Sequence, residues 1–185
     1  IPKFVDINPS TYLIDVEKIE SAITCHTRCI LPVHLFGQCA DMDRIRSIAK
    51  KNNLFVVEDC AQAHFAKYKN ELAGSMSDLG AFSFYPTKLL GAYGDGGIII
   101  TNQKVFESRL RRLRFYGMDK SYYANEHGYN SRLDELHAAI LRKKLPKLNS
   151  YIEKRRLLGE RYNQELADTS LVLPTVAENC SHSYY

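Results

Sequence analysis

One lysine, Lys88, sits in an otherwise apolar stretch, Gly80-Ala-Phe-Ser-Phe-Tyr-Pro-Thr-Lys-Leu-Leu-Gly91, and is followed by a turn containing Gly94, Gly96 and Gly97. An amine between two apolar strands is easily desolvated, and desolvation favours the neutral form that attacks carbonyl carbon, as a Schiff-base lysine must. Three other residues give it company. Asp59 ends the run Leu54-Phe-Val-Val-Glu-Asp59, Gln62 follows three residues later, and Ser83 precedes the lysine by five. Singly, Asp59 also reads as a helix cap after a strand, and Ser83 as a satisfied core hydroxyl. Together they are the inventory that a carbonyl cofactor with a phosphate and a pyridine nitrogen needs. The amine forms the imine, the carboxylate keeps the ring nitrogen protonated, and hydroxyls hold the phosphate.

The elements that must position these groups can be read in order. Pro2 to Ile7 alternates and is expected as a short strand, and Val16 to Ile23 as a helix behind Asp15. Cys29 to Phe36 reads as a buried strand ending at Gly37. Asp41 to Asn52 reads as an amphipathic helix with Met42, Ile45, Ile48 and Ala49 on one face, and Leu54 to Asp59 as the next strand. Strand, helix and strand with short joints form a βαβ unit, which favours a parallel sheet with right-handed crossovers. Ligands of such sheets gather at the C-terminal strand ends, where Asp59 lies.

After Gly74 come a strand over Ala81 to Phe84, the lysine loop, a strand over Gly97 to Thr101 and a helix from about Gln103 to Phe115. Tyr116 to Asn130 is a long polar and aromatic loop, a length that more often serves function than mere connection. Ser131 with Asp134 resembles a capping box, followed by an apolar stripe of Leu133, Leu136, Ile140, Leu141 and Leu145 that Pro146 ends or kinks. A second helix, Leu148 to Leu166, is expected to lead out of the core. A domain junction is expected near Asp168 to Pro174.

The composition is that of a globular protein: 45% of 185 residues are hydrophobic and 25% charged, enough for one sizeable core. The net charge of +4 is dispersed apart from Arg109, Arg111, Arg112 and Arg114, which read as the wet face of a helix rather than a nucleic-acid footprint. The five cysteines are an odd number in a chain too large to need staples, and are read as reduced thiols of a cytoplasmic protein. Cys25, His26 and Cys29 lack a second ligand pair for zinc, so no metal site is expected. No apolar run approaches the ~18 residues that would span a bilayer. The chain opens without methionine and closes on Ser181-His-Ser-Tyr-Tyr185, and is expected to be an interior piece of a longer protein.

Four segments, Val57-Glu-Asp-Cys-Ala-Gln-Ala63, Gly80 to Lys88, Gly94-Asp-Gly-Gly97 and Gly128-Tyr-Asn-Ser-Arg-Leu-Asp-Glu135, resemble the DegT/DnrJ/EryC1/StrS family of pyridoxal-phosphate-dependent sugar aminotransferases. The resemblance covers nearly the whole chain. It implies an α/β, aspartate-aminotransferase-like (type I) fold with a mostly parallel central sheet flanked by helices. Residues 1–167 would belong to the large cofactor-binding domain and 168–185 would begin the smaller C-terminal one.

Carried over residue by residue, the resemblance makes Lys88 the cofactor-bearing lysine and the acid/base of the 1,3-proton shift. Asp59 becomes the partner of the pyridinium nitrogen, Gln62 lies against the ring near its hydroxyl, and Ser83 holds the phosphate. Asn130 would reach the phosphate of a neighbouring subunit in a homodimer, although as a residue it reads equally as a helix cap. His34 matches a family position in the vicinity of the site. The implied substrates are glutamate and a nucleotide-linked keto-sugar. Phe115 to Tyr123, running into His127 and Gly128, looks like the branch that aminates C3 of dTDP-3-oxo-6-deoxyhexoses; amination at C4, or cofactor binding without turnover, are the alternatives. Phe65 stands where the family often has glycine. The family's upstream phosphate turn and ring-stacking aromatic are missing from the chain, which alone is expected to be inactive.

Overall fold

The computed structural model describes residues 1–119 and 122–185. A 3-10 turn capped by the Asp15 carboxylate leads into a short helix α1 (Ile19–Ala22), and strand β1 (Cys29–Ile30) follows. Helix α2 (Met42–Lys51) begins at Asp41, whose side chain accepts from the Arg44 amide, and it buries Met42, Ile45 and Ala49. Lys50 and Lys51 occupy its last turn, where cations complement the helix dipole. Strand β2 (Phe55–Asp59), a hairpin of β3 (Lys67–Tyr68) and β4 (Glu71–Leu72), strand β5 (Leu79–Ser83) and strand β6 (Gly97–Ile100) follow. Helices α3 (Lys104–Leu113), α4 (Glu135–Lys144) and α5 (Leu148–Glu165) and a short strand β7 (Cys180–Ser181) complete the order.

The main sheet runs β1-β2-β5-β6, with β1, β2 and β5 parallel and β6 antiparallel to β5. The expected α/β class and mostly parallel sheet are therefore present. β3, β4 and β7 form a separate antiparallel sheet, so the C-terminal residues return to pair with the hairpin. Among the described residues no helix is long and apolar enough to cross a membrane.

Four readings of the elements need correction. Ile7 forms only an isolated bridge with Ile14, so Pro2 to Ile7 is not a strand. β1 stops at Ile30, because Pro32 has no N–H to donate; pairing resumes as a single bridge between Val33 and Asp59, and Leu35–Gly37 then turns. Ser131 does not cap α4. Its amide is committed to Arg114 O, which keeps residues 128–131 alongside the end of α3, and the helix begins only after Asp134. Nor does α5 lead out at its start, since Leu148 and Ile152 are buried with Leu141 against Phe84, Leu89 and Leu90 of the lysine loop.

A carboxylate with no exposure organises the middle of the sheet. Glu58 accepts from His34 Nε2 at 3.0 Å, Gly74 N at 2.7 Å, Met76 N at 2.9 Å and Ser77 Oγ at 2.8 Å. Ala40 N donates to His34 Nδ1 at 3.1 Å, so that nitrogen carries a lone pair and the proton belongs on Nε2. Burial pushes Glu58 up, but the hydrogen bonds from His34, Gly74 and Ser77 outweigh it and hold the carboxyl below its ordinary range. The 74–77 turn thus anchored lies close under β5. A Cβ on Gly80 would stand 2.3 Å from Gly74 Cα, and Gly74 itself has φ +83°, so both positions demand glycine.

Phe65 resolves the departure from the family pattern. It adopts φ +58°, the left-handed conformation that glycine takes freely, so the backbone follows a glycine-like path despite the substitution. Its ring packs against the cluster of Phe84, Leu89, Leu90, Leu141, Leu148 and Ile152, which compensates the strain of roughly 1–2 kcal/mol. Phe65→Gly and Phe65→Ala both lose that packing, but only glycine relieves the backbone. Urea denaturation of the full-length variants is therefore expected to show glycine more stable than alanine by about 1 kcal/mol, against the usual order; alanine equal to or above glycine would refute the strain.

Candidate active site

The residues expected to carry chemistry stand on the C-terminal rim of β2 and β5. Asp59 ends β2, and its Oδ1 accepts from Ala61 N at 3.0 Å, bending the chain out of the strand. Its other oxygen has no partner among the described residues. Ala81 is the register partner of Asp59, and Ser83 lies two residues further along β5, about 7 Å at strand rise. Ser83 Oγ accepts from Tyr85 N at 3.2 Å, which leaves the hydroxyl proton free to donate. Gln62 Oε1 accepts from Phe36 N at 2.7 Å, and its Nε2 has no partner among the described residues.

Lys88 is half-buried at the end of a turn closed by its own amide on Tyr85 O. Its Nζ donates to the Tyr185 hydroxyl at 3.2 Å and lies 4.3 Å from the centre of that ring. Thr87 Oγ1 is also 3.2 Å from the hydroxyl; the contacts with Thr87 and Lys88 hold the Tyr185 phenol below its usual range. Below the turn, Lys144 bonds Gly91 O and fastens the loop to α4.

Asn130 is not drawn into this group. It is exposed, forms a bridge with Phe115, and accepts from Arg132 Nε at 3.1 Å. The loop that presents it is held by Glu126, which pairs with Arg109 and Arg112; two arginines read as a wet helix face therefore anchor the loop. Lys120 and Ser121, part of the branch-like segment Phe115 to Tyr123, lie outside the described residues. His34 is buried, and its backbone N donates to Asp59 O at 3.0 Å, so it sits behind the rim. His34, Glu58 and Cys60 bring ligand-type atoms within 4.8 Å of one another, yet both imidazole nitrogens and both Glu58 oxygens are already engaged by protein groups. All five cysteines are unpaired, and burial pushes the Cys39 and Cys60 thiols up.

Two residues were missed in the sequence. Tyr185 lies 97 positions from Lys88, and no spacing connects them. His64 follows Gln62 by two, one residue beyond the segment Val57 to Ala63 already singled out, so its position beside that segment was the available signal. It is buried beside Phe82 and Phe84, and neither ring nitrogen has a hydrogen-bond partner among the described residues. Burial, reinforced by the nearby Lys88 charge, lowers it to about 4; the Ser83 backbone opposes the shift without completing a hydrogen bond.

The model of the DegT/DnrJ/EryC1/StrS aminotransferase family matches residues 1–185. The chain belongs to this family. A dTDP-3-amino-3,4,6-trideoxy-alpha-D-glucose transaminase of Micromonospora megalomicea subsp. nigra is 50% identical over 189 residues, covering 100% of this chain and 50% of the relative. A crystal structure of S. venezuelae DesV in complex with a ketimine intermediate is 42% identical with TM-score 0.95, covering 97% of this chain and 49% of that one. A structure of NtdA from Bacillus subtilis with bound cofactor PMP is 35% identical with TM-score 0.88, covering 100% of this chain and 42% of that one. The family member described here thus spans about half the length of these relatives, and it shares the fold of solved aminotransferases over that half.

His64 gives the site a pH signature. An unfolded histidine takes up a proton near pH 6.5, whereas folded His64 refuses it until about pH 4, so its contribution to stability is complete above pH 6.5 and is lost as the pH falls towards 4. His64→Phe keeps a ring between Phe82 and Phe84 and removes the titration. Denaturation of the full-length protein between pH 6.5 and 4 is expected to show a stability slope shallower by up to about 1.4 kcal/mol per pH unit in the variant. Identical slopes would place His64 outside the apolar setting.

Proposed function

We propose that the full-length protein transfers an amino group from glutamate to a nucleotide-linked keto-6-deoxyhexose, at C3 of a dTDP-3-oxo sugar, with pyridoxal 5'-phosphate as cofactor. The observation that carries this reading is a set of polar groups, at and just beyond the ends of β2 and β5, that no described residue engages. Among the described residues, one Asp59 carboxylate oxygen, the Gln62 amide donor and the Ser83 hydroxyl proton have no partner. Polar groups held without partners call for a ligand or water to complete them, and these three match a ring cation, a ring oxygen and a phosphate in turn.

Bound there, pyridoxal phosphate would supply a carbonyl that condenses with amines and a ring that accepts the electrons released when a C–H bond breaks. The chain's own residues do the rest. Asp59 would hold a proton on the ring nitrogen. Ser83 would donate to the phosphate and Gln62 Nε2 to the ring oxygen. Lys88 would hold the cofactor and serve as the acid/base whose Nζ takes up and returns the proton of the 1,3-shift. Tyr185 accepts from that amine and is itself held by the Thr87 hydroxyl.

The sugar assignment draws support from the 50% identity to a dTDP-sugar transaminase. The exposed setting of Asn130 supports a homodimer in which this residue completes the phosphate site of the partner subunit. Residues 1–167 would then belong to the large domain and 168–185 would open the smaller one, in a cytoplasmic enzyme. Replacement of Lys88 by alanine in the full-length protein is expected to abolish both the visible absorbance of the lysine-bound cofactor and amino transfer to the sugar. Retention of either would contradict the role of Lys88. Conversion of added dTDP-3-oxo-6-deoxyhexose to its 3-amino product, identified by mass spectrometry, is expected of the unmodified protein; product from the 4-oxo isomer alone would move the assignment to C4.

A further inference from the structure

The amide of Gln62 is not free to choose its orientation. A backbone N–H can only donate, and Phe36 N reaches the Gln62 side chain at 2.7 Å, so the atom facing it must be the carbonyl oxygen. Nε2, a pure donor, is thereby turned to the other side, where no described protein group meets it. Phe36 delivers its N–H from an unusual backbone. Its φ is 58° and ψ 3°, left-handed values followed by a second positive φ at Gly37, while its ring is about half exposed and touches Tyr12 edge-on. An exposed ring on a strained backbone gains little packing in return. Strain of this kind persists only where surrounding structure imposes it.

That structure is visible on every side of the turn. Before it, His34 is locked by its bonds to Glu58 and Ala40. After it, Gly37 has φ +99°, and a Cβ there would stand 2.4 Å from Ser183 Oγ and 3.1 Å from Gln62 O. From the C-terminal segment, Ser183 N donates to Gly37 O at 2.8 Å and Tyr185 N to Phe36 O at 2.9 Å. The Ser183 hydroxyl lies 3.3 Å from both Gly37 O and Gln62 O, joining the turn to the backbone of the glutamine itself.

We propose that the Phe36–Gly37 turn is a positioning element for Gln62, committing the amide oxygen to Phe36 so that the site offers only a hydrogen-bond donor and selects an anionic ring oxygen at that point. The inference rests on the reading of Gln62 as a cofactor contact. It assigns a task to residues 36, 37 and 183, none of which needs to touch the cofactor. A glutamine free to rotate would present acceptor and donor about equally, and the acceptor would repel a ring phenolate.

The probe is pyridoxamine phosphate, which binds without a covalent bond to Lys88 and so reports polar contacts directly. Its affinity for the full-length apoprotein is measured by fluorescence titration. Phe36→Val disfavours the left-handed backbone and is expected to weaken binding about tenfold, the worth of one hydrogen bond to a charged group. Phe36→Gly keeps the conformation accessible and is expected to stay within about twofold of the parent. Ser183→Ala removes only the hydroxyl and is expected to cost a few-fold; it carries the same contrast where the valine variant does not fold. Gln62→Met, of similar length but without the amide, is expected to weaken binding about tenfold by itself. In that background Phe36→Val and Ser183→Ala should do nothing further, since they act through the amide. Losses that persist undiminished in the Gln62→Met background would overturn the positioning role while leaving Gln62 a cofactor contact. No loss from Gln62→Met alone would overturn both.

Discussion

The four hydrogen bonds received by Glu58 tie together the parts of the molecule that build the site. Through His34 the carboxylate reaches the chain following β1; through Gly74, Met76 and Ser77 it reaches the turn that feeds β5. It sits one residue before Asp59, on the strand between those two neighbours. A carboxylate of zero exposure is tolerable only with its lone pairs engaged, and removing one partner of such a buried network typically costs about 3–5 kcal/mol. The network therefore works as a constraint on register more than as a source of stability. Asp59, the Phe36 turn and the entry to β5 each take their place from it.

The lysine loop obeys a second, apolar constraint. Leu89 and Leu90 are buried with Leu141, Leu148 and Ile152 of α4 and α5, so the residues next to Lys88 are fixed by packing while the amine itself stays half-open. The loop joins β5 to a strand running the opposite way, and Phe84 N and Ala92 N close it by bonding Gly96 O and Phe84 O. A half-open amine on a rigid base suits the cofactor-holding and proton-moving role proposed for Lys88.

Much of this could be read from the residues. α2, β2, β5 and β6 have clear periodicity or apolar runs, and their bounds differ from expectation by two residues or fewer. Asp59, Gln62, Ser83 and Lys88 could be singled out as candidates because they fall within short segments with turn signals between them. What stayed hidden depends on contacts across long stretches of chain. Glu58 reads as an ordinary strand residue until His34, 24 positions away, is brought beside it. Nothing near Lys88 points to Tyr185. β1 was overread because its composition is strand-like, and only the missing N–H of Pro32 and the inward pull on His34 stop it. The same inward pull creates the turn that reaches Gln62.

The most direct test of the Glu58–His34 constraint is the tautomer of His34, read from its ring ¹⁵N resonances in the full-length protein. Donation from Ala40 N to Nδ1 and acceptance by Glu58 at Nε2 require a proton on Nε2 and a lone pair on Nδ1. The expected spectrum shows that neutral tautomer, with a protonated Nε2 coupled to the carboxylate and no change when cofactor is added. A proton on Nδ1, or two nitrogens exchanging between tautomers, would contradict the account, because His34 could not then hold both the turn and the carboxylate on which the site stands.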